Sequence, residues 1–238
     1  MKYYKNSDII KKKGSNYMKK EKYIDYFYRL VMLFLVGCIL GCLFETILCY
    51  FQRGHFESRR GLIYGPLNPV YGVAVAVICM ILKKEKKTPI IFLKGFFYGG
   101  VVEYLCSWVQ ETIFKTTSWN YSEYYFNFDG RTSIYHMIWW GLATLLVVKH
   151  LYPQVMKLLD KLKEKYRLGL TIIVTILLLI DILISSFASI RYYERLNDIS
   201  AKNRVDRIMD KYYPNEKLVK IYPNVKDAKT RVKLSKMK

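Results

Sequence analysis

The length of the uncharged apolar runs constrains this sequence more than any other feature. Between Leu168 and Ile190 the only charged residue is Asp181. A helix of about 20 apolar residues spans the roughly 30 Å hydrocarbon core of a bilayer. Lipid offers the backbone no hydrogen-bond partner, so a helix must satisfy its own polar groups. The run therefore predicts a membrane-spanning helix.

Four more apolar blocks precede this run. Together they give five predicted spans, at residues 27–51, 65–82, 89–114, 132–148 and 168–190. The sequence thus predicts an all-α fold, a polytopic helical membrane protein with about five transmembrane helices. Its predicted parts are a basic cytoplasmic N-terminal segment (1–26), a transmembrane domain (27–190) and a basic C-terminal tail (191–238).

The average composition hides this organisation. Apolar residues make up 52% of the chain, and 39 Lys and Arg outnumber 19 Asp and Glu, which evenly mixed would suggest a basic soluble protein. Because the charged and apolar residues occupy separate blocks, a soluble fold and a disordered chain are both excluded. A disulfide scaffold is excluded too, since all the cysteines lie inside apolar blocks, at Cys38, Cys42, Cys49, Cys79 and Cys106.

Basic residues predict the orientation. Nineteen Lys and Arg lie on one side, over residues 2–29, 83–87 and 149–167, against five in the opposite loops. Because cytoplasmic loops carry the basic excess, we expect a multi-pass protein of the cell membrane with a cytoplasmic N-terminus. Five spans place the tail outside despite its fourteen basic residues. The alternatives are a first outer loop that re-enters the membrane, or one false span.

Two further patterns concern helix packing. The segment after Pro153 has apolar residues on one helical face and lysines around the other, which predicts a helix on the cytoplasmic leaflet. Such a helix could instead dock onto a soluble partner such as an ATPase. The apolar residues are Val155, Leu158, Leu159 and Leu162. Glycines spaced four apart, which let helices approach closely, occur at Gly37 and Gly41 and at Gly95 and Gly99.

Charged side chains inside the predicted spans indicate ion pairing or function, because each costs about 3 kcal/mol in hydrocarbon. Four acids and one histidine lie at mid-depth or in the outer half of the spans: Glu45, Glu103, Glu111, Asp181 and His136. Arg60 and Arg131 begin spans on the same side, where a guanidinium can pair with a carboxylate. One hypothesis is an outward-facing polar cavity that handles a substrate or a proton. The other is a set of ion pairs that fixes helix packing.

The two outer loops are unlike ordinary connections. The first, residues 58–72, contains two prolines and three glycines at the membrane boundary. Irregular backbone is tolerated there only where protein buries it or where it lines a wet cavity. The second, residues 119–131, is rich in aromatic residues, which suits either anchoring at the interface or a lid over a polar cavity.

Both loops also carry motifs that resemble a known family. The first loop reads Arg-Gly-x-x-Tyr-Gly-Pro-x-x-Pro-x-Tyr-Gly after Ser58-Arg59, formed by Arg60, Gly61, Tyr64, Gly65, Pro66, Pro69, Tyr71 and Gly72. The second contains Trp-Asn-Tyr-Ser and Phe-Asn-x-x-Gly-Arg, formed around Trp119, Tyr121, Asn127, Gly130 and Arg131. The spans add Glu45, Glu103-Tyr104, Trp140-Gly141 and Asp181 with Ser185. In these motifs the chain resembles the CmpB-like membrane proteins, called the putative ABC-transporter type IV family.

The resemblance covers residues 34–186 and implies a permease-like component of the membrane. Asn120 stands where the family usually has Asp, Asn68 stands where Cys is frequent, and the basic tail lies beyond the family region. Because the chain has no nucleotide-binding Gly-x-x-x-x-Gly-Lys-Ser/Thr loop, any ATPase is expected to be a separate subunit. Five spans are few for a complete pathway, which favours a homodimer.

Two other functions stay open from the sequence. One is an intramembrane enzyme that acts on a lipid-linked substrate, with Glu45 or Glu103 as general base and His136 as acid. The other is a non-catalytic protein of membrane assembly or sensing. The sequence contains no reaction signature, and it leads us to expect no cofactor and no metal. The basic excess suits anionic headgroups, and no nucleic-acid-binding motif accompanies it.

Overall fold

The computed structural model describes the backbone of residues 2–237 and the side chains of residues 21–237. The side chains of residues 1–20, most of the predicted basic N-terminal segment, lie outside the described residues. The helices are α1 (Lys2–Arg53), α2 (Pro69–Leu82), α3 (Thr88–Phe114), α4 (Ile134–Leu146), α5 (Tyr152–Asp160), α6 (Glu164–Leu196), α7 (Arg204–Tyr212) and α8 (Asn215–Ile221). The short antiparallel strand pairs are β1 (Thr116–Thr117) with β4 (Lys226–Asp227), and β2 (Asn127–Phe128) with β3 (Thr132–Ser133).

Four helical stretches are long and apolar enough to cross a membrane, namely Glu21–Arg53, Thr88–Phe114, Ile134–Asp160 and Glu164–Leu196. The prediction of an all-α, polytopic membrane fold is confirmed. The second predicted span, residues 65–82, corresponds to α2, which has only 14 residues. At about 1.5 Å per residue, α2 is about 21 Å long, shorter than a bilayer core.

The first loop (residues 54–68) explains why α2 is short, because it runs into the helix bundle before α2 begins. The backbone N–H of Asn68 donates to the carbonyl of Cys38, 3.1 Å away in the middle of α1. Ile63 is buried, and the N–H of Gly61 donates to the carbonyl of Leu67 at 2.8 Å, which closes a tight turn. The loop therefore re-enters the helix bundle.

Local chemistry fixes the start of α2. The side chain of Asn68 accepts a hydrogen bond from the N–H of Val70, and Pro69 occupies the first turn. Asn is a preferred N-cap and Pro is favoured at the first helical position. The second span was predicted to begin at residue 65. It begins at Pro69 instead, because the turn before it cannot continue a helix.

Close helix packing occurs at the paired glycines, as predicted. A Cβ atom on Gly41 would lie 2.1 Å from the ring of Tyr71, so α1 and α2 are in direct contact there. On the other side of the bundle, a Cβ on Gly99 would lie 2.4 Å from the side chain of Trp140. These contacts bring α1, α2, α3 and α4 together around their polar residues.

The segment predicted as a helix on the cytoplasmic leaflet continues α4 without a break. A π-helical turn, Val147–Leu151, joins α4 directly to α5, because Pro153 has no N–H to donate to the preceding turn. Val155 and Leu159 are buried against Tyr28 of α1, whereas Leu158 is exposed. The position of α5 on the cytoplasmic leaflet stays a prediction.

The chain after α6 forms a compact layer, which we call the C-terminal strap (residues 197–237). Its buried residues share one apolar core with Ile63 of the first loop and Ala188 and Tyr192 of α6. Arg191 of α6, 4% exposed, binds Asp210 of α7 through two hydrogen bonds of 2.9 and 3.2 Å. The strap thus packs at the end of the bundle that carries the first loop and the second loop (residues 115–133).

Candidate functional site

Glu45 of α1 lies beside the start of α2. The side-chain N–H of Asn68 donates to the Glu45 carboxylate at 3.4 Å and to the carbonyl of Arg59 at 3.2 Å. The hydroxyl of Tyr71, one turn into α2, lies beside the same carboxylate. The re-entrant loop and the first turn of α2 therefore position the polar groups around Glu45.

Glu103 of α3 is held by the second loop. Its side chain is 7% exposed, and it accepts hydrogen bonds from Tyr121 at 3.1 Å and from Thr132 at 2.6 Å. Burial and the neighbouring Glu103 carboxyl raise the pKa of Tyr121 far above its ordinary value. Tyr121 therefore stays protonated and acts as a donor above Glu103.

The two carboxyl groups are neighbours across the bundle. Glu45 and Glu103 are close enough for their charges to interact, and Tyr71 lies near both of them. The ring of Tyr71 is 5.6 Å from that of Trp140 on α4. Among the described residues, neither carboxylate has a Lys or Arg nitrogen within 4 Å. The centre therefore combines two acids and their hydroxyl donors with aromatic walls.

The second loop is held rigid above this centre by its motif residues. The indole N–H of Trp119 donates to the carbonyl of Arg131 at 2.8 Å, and the side chain of Asn127 bonds both Tyr124 and Gly130. Gly130 has φ +69, and a Cβ there would meet the side-chain oxygen of Asn120 at 2.4 Å. The motif residues therefore form a folded loop in which Gly130 has no room for a side chain.

Most motif residues from Arg60 to Gly72, which span the first loop and the start of α2, are required by the backbone conformation or by close packing. Gly65 has φ +73, which favours glycine, and a Cβ on Gly61 would lie 2.6 Å from Pro69. Gly72 contacts Cys38, which a Cβ would approach to 2.4 Å. Pro66 and Tyr64 are exposed. Tyr71 is the motif residue of this loop that lies at the two acids.

His136 lies beneath the second loop, beside Tyr121 and Ser133. Its ring stacks on Tyr121 with centroids 3.5 Å apart, and its Nδ1 is 2.8 Å from the hydroxyl of Ser133. Ser133 is 0% exposed and caps α4 by accepting the backbone N–H of His136. Ser133 and His136 together thus cap the first turn of α4.

Arg131 and Glu111 form a second polar group at the rim. The guanidinium contacts Glu111 at 2.8 Å, Asp129 at 2.9 Å and the hydroxyl of Tyr104 at 2.9 Å. Glu111 also binds Arg231 of the strap at 2.9 Å. The structure thus places Arg131 on Glu111 rather than on Glu45 or Glu103.

Asp181 lies apart from the two central acids. One carboxylate oxygen accepts the N–H of Tyr64 at 3.2 Å and the hydroxyl of Ser185 at 3.0 Å. Ser185 in turn accepts the N–H of Ile63 at 2.9 Å. Asp181 and Ser185 therefore satisfy backbone groups of the re-entrant loop, which lipid could not do.

Of the two arginines expected to balance the acids, Arg60 is exposed. Its neighbour Arg59 turns inward, where it bonds Glu57 at 3.3 Å and lies near Glu45. Sequence reasoning singled out neither Arg59 nor Thr132, and it treated Asn68 only as a departure from the family pattern. The Asn-Pro pair at residues 68–69 is a helix-start signal that could have indicated the role of Asn68.

Comparison with known proteins supports the resemblance. The family model described as "Putative ABC-transporter type IV" matches residues 32–186, more than half of the chain. The matched region contains both central acids, both loops and Asp181, and it ends before the strap. No curated protein and no solved structure matches the chain.

Proposed function

Because this chain belongs to the putative ABC-transporter type IV family, we propose that it is the membrane component of a transporter whose solute meets Glu45 and Glu103. The single observation that carries the proposal is the pairing of these two carboxyl groups from α1 and α3 beneath two ordered loops. A buried acid in a membrane bundle is costly. Two neighbouring acids without a bonded arginine are harder to explain as helix packing.

The surroundings of the acids support a polar or amphipathic solute. Hydroxyl and amide groups from Tyr71, Tyr121 and Asn68 reach the carboxylates, while Trp140 gives the site an apolar wall. Arg131 and Asp181 belong to the supporting structure on our proposal, since they hold the second and first loops. His136 supports the lid by stacking on Tyr121.

From the basic loops we infer that the protein lies in the cell membrane with its N-terminus in the cytoplasm. The two loops and the strap then lie outside, and a separate ATPase subunit meets the inner ends of the helices. A second copy of the chain would complete the pathway.

Metabolite profiling tests the proposal even though the solute is unidentified. Cells that express the full chain are grown in defined medium, and compounds gained or lost are identified by mass spectrometry. We expect Glu45→Gln and Glu103→Gln to remove the change that the unaltered chain produces, at equal protein level. Glu123→Gln, on the exposed part of the second loop, is the matched control. If both central variants give the same metabolite profile as the unaltered chain, the proposal is refuted.

A further inference from the structure

We propose that the C-terminal strap is a gate, which holds the two loops closed over Glu45 and Glu103 and releases them to admit solute. The inference rests on the proposed function of these acids and adds how access to them is controlled. Because the strap lies beyond the residues that the family model matches, this gate is an addition to the family region.

The strap is bonded to the first loop at three places. The hydroxyl of Tyr213 lies 2.6 Å from that of Tyr64, and the carbonyl of Ile221 accepts a hydrogen bond from Ser58 at 2.8 Å. A third contact joins Lys233 to Glu57 at 3.9 Å. These contacts lie along the loop from residue 57 to residue 64, so the loop cannot leave the bundle while the strap stays in place.

The strap is also bonded to the second loop. Strand β4 of the strap pairs with β1, and the N–H of Ala228 donates to the carbonyl of Lys115 at 3.0 Å. Beside this pair, Arg231 shares Glu111 with Arg131 of the second loop. One segment of chain therefore connects two loops that are far apart in sequence.

Each loop that contacts the strap also bonds one of the two acids. Asn68 of the first loop bonds Glu45, and Tyr121 and Thr132 of the second loop bond Glu103. Water can reach Glu103 only when the second loop moves, because its side chain is 7% exposed. The contacts of the strap with β1 and Glu111 are a two-residue ladder and an ion pair, a set that can open locally while the apolar core around Tyr213 and Leu218 stays packed.

A disulfide across β1 and β4 tests the gate. Thr117 and Lys226 lie directly opposite each other, and opposed residues of antiparallel strands have Cα separations suited to a disulfide. The full chain carrying T117C and K226C is placed in lipid nanodiscs and treated with a water-soluble carbodiimide and an amine. Mass spectrometry then measures amide formation at Glu103. We expect about a tenfold lower yield in the oxidised form than in the reduced form.

A second set of variants opens the strap instead of locking it. K226P removes a donor from the β4 strand, and R231A removes the contact with Glu111. We expect the double variant to raise modification of Glu103 several-fold, with K229A, on the exposed part of the strap, as the matched control. Glu123, exposed in every form, reports the general reactivity.

The results separate the two proposals. Equal modification of Glu103 in the locked, reduced and released proteins, or none in any form, would overturn the gate. Strap-dependent modification together with unchanged metabolite profiles for Glu103→Gln would overturn the proposed function. In that case the strap would still control entry of water.

Discussion

The hydroxyl groups of Tyr64 and Tyr213 lie 2.6 Å apart, although 149 residues separate them in the chain. Tyr64 belongs to the re-entrant loop and Tyr213 follows α7. Burial, with the hydrogen bond to Tyr64, raises the pKa of Tyr213 to about 12. Tyr213 therefore stays protonated at neutral pH, and its hydroxyl joins the strap to the loop.

This contact predicts a measurable coupling between loop and strap. Removing either hydroxyl, in Tyr64→Phe or Tyr213→Phe, should lower the free energy of unfolding by about 1 kcal/mol. The double variant should cost no more than either single one, because the second hydroxyl has already lost its partner. Denaturation in mixed micelles measures all three, with Tyr125→Phe, 92% exposed, as control. Strictly additive losses would contradict the contact.

Asp181 should be needed for the fold of the first loop. Asp181→Ala leaves the N–H of Tyr64 without its acceptor, which should cost about 1–3 kcal/mol. Asp181→Asn keeps an oxygen in place and should cost less. Hydrogen exchange of the Tyr64 amide in nanodiscs reports the contact directly. An amide equally protected in Asp181→Ala and in the unaltered chain would show that Asp181 does not hold the loop.

Gly41 and Gly169 should respond oppositely to alanine. A Cβ on Gly41 meets the Tyr71 ring at 2.1 Å, whereas a Cβ on Gly169 has nothing within 4 Å. Gly41→Ala should lose about 1–3 kcal/mol through overpacking, and Gly169→Ala should gain up to about 1 kcal/mol through helix propensity. Thermal unfolding of purified protein compares them. Similar melting temperatures would mean that α1 and α2 are further apart.

Arg131 and Arg231 share Glu111 but should differ in importance. Arg131 also binds Tyr104 and Asp129, so Arg131→Lys loses a fork of hydrogen bonds that Lys cannot replace. We expect Arg131→Lys to lower the free energy of unfolding by about 2 kcal/mol. Arg231→Lys should lower it by under about 1 kcal/mol, because its contact is a more exposed ion pair. Unfolding in mixed micelles distinguishes them, and a larger loss for Arg231→Lys would contradict the geometry.

The strap should loosen in acid. Burial alone would raise the pKa of Asp210, but hydrogen bonds and charges from Arg191 and Arg195 outweigh it and hold the pKa below the ordinary value of 3.8. A carboxyl with a depressed folded pKa stabilises the fold above its unfolded pKa, and that stability is lost as the pH falls through the folded value. The protection of the α7 amides against hydrogen exchange, relative to their intrinsic exchange rates, should therefore fall below about pH 3.8. Asp210→Asn should remove that dependence.

Hydropathy was sufficient for much of the fold. It located the long spans, because their apolar runs have no other stable conformation in lipid. It missed the start of α2, because the Asn-Pro pair at residues 68–69 marks that start by its capping chemistry and not by its hydropathy. The depth of that turn depends on the bond from Asn68 to Cys38, a contact between distant residues that no local pattern records.

The candidate site was predictable in its residues but less in its contacts. The cost of burying Glu45 and Glu103 marked them in the sequence, and the structure makes them neighbours. Arg59 and Arg60 are adjacent, so composition and spacing cannot tell which one turns inward. Arg131 pairs with Glu111 because the fold of the second loop, through Trp119 and Gly130, sets its direction. The packing of the basic tail into a strap was not predictable, because its ion pairs join residues from separate elements.

The deep start of α2 also shapes the electric field across the bundle. Wherever water follows the first loop down to Asn68, the insulating layer is as thick as α2, about 21 Å, instead of the surrounding 30 Å. A potential of 100 mV is worth about 2.3 kcal/mol for each elementary charge that crosses it. That work would then be concentrated over the shorter path, directly below Glu45, and an ion moving there would feel a steeper gradient than anywhere in the adjoining lipid.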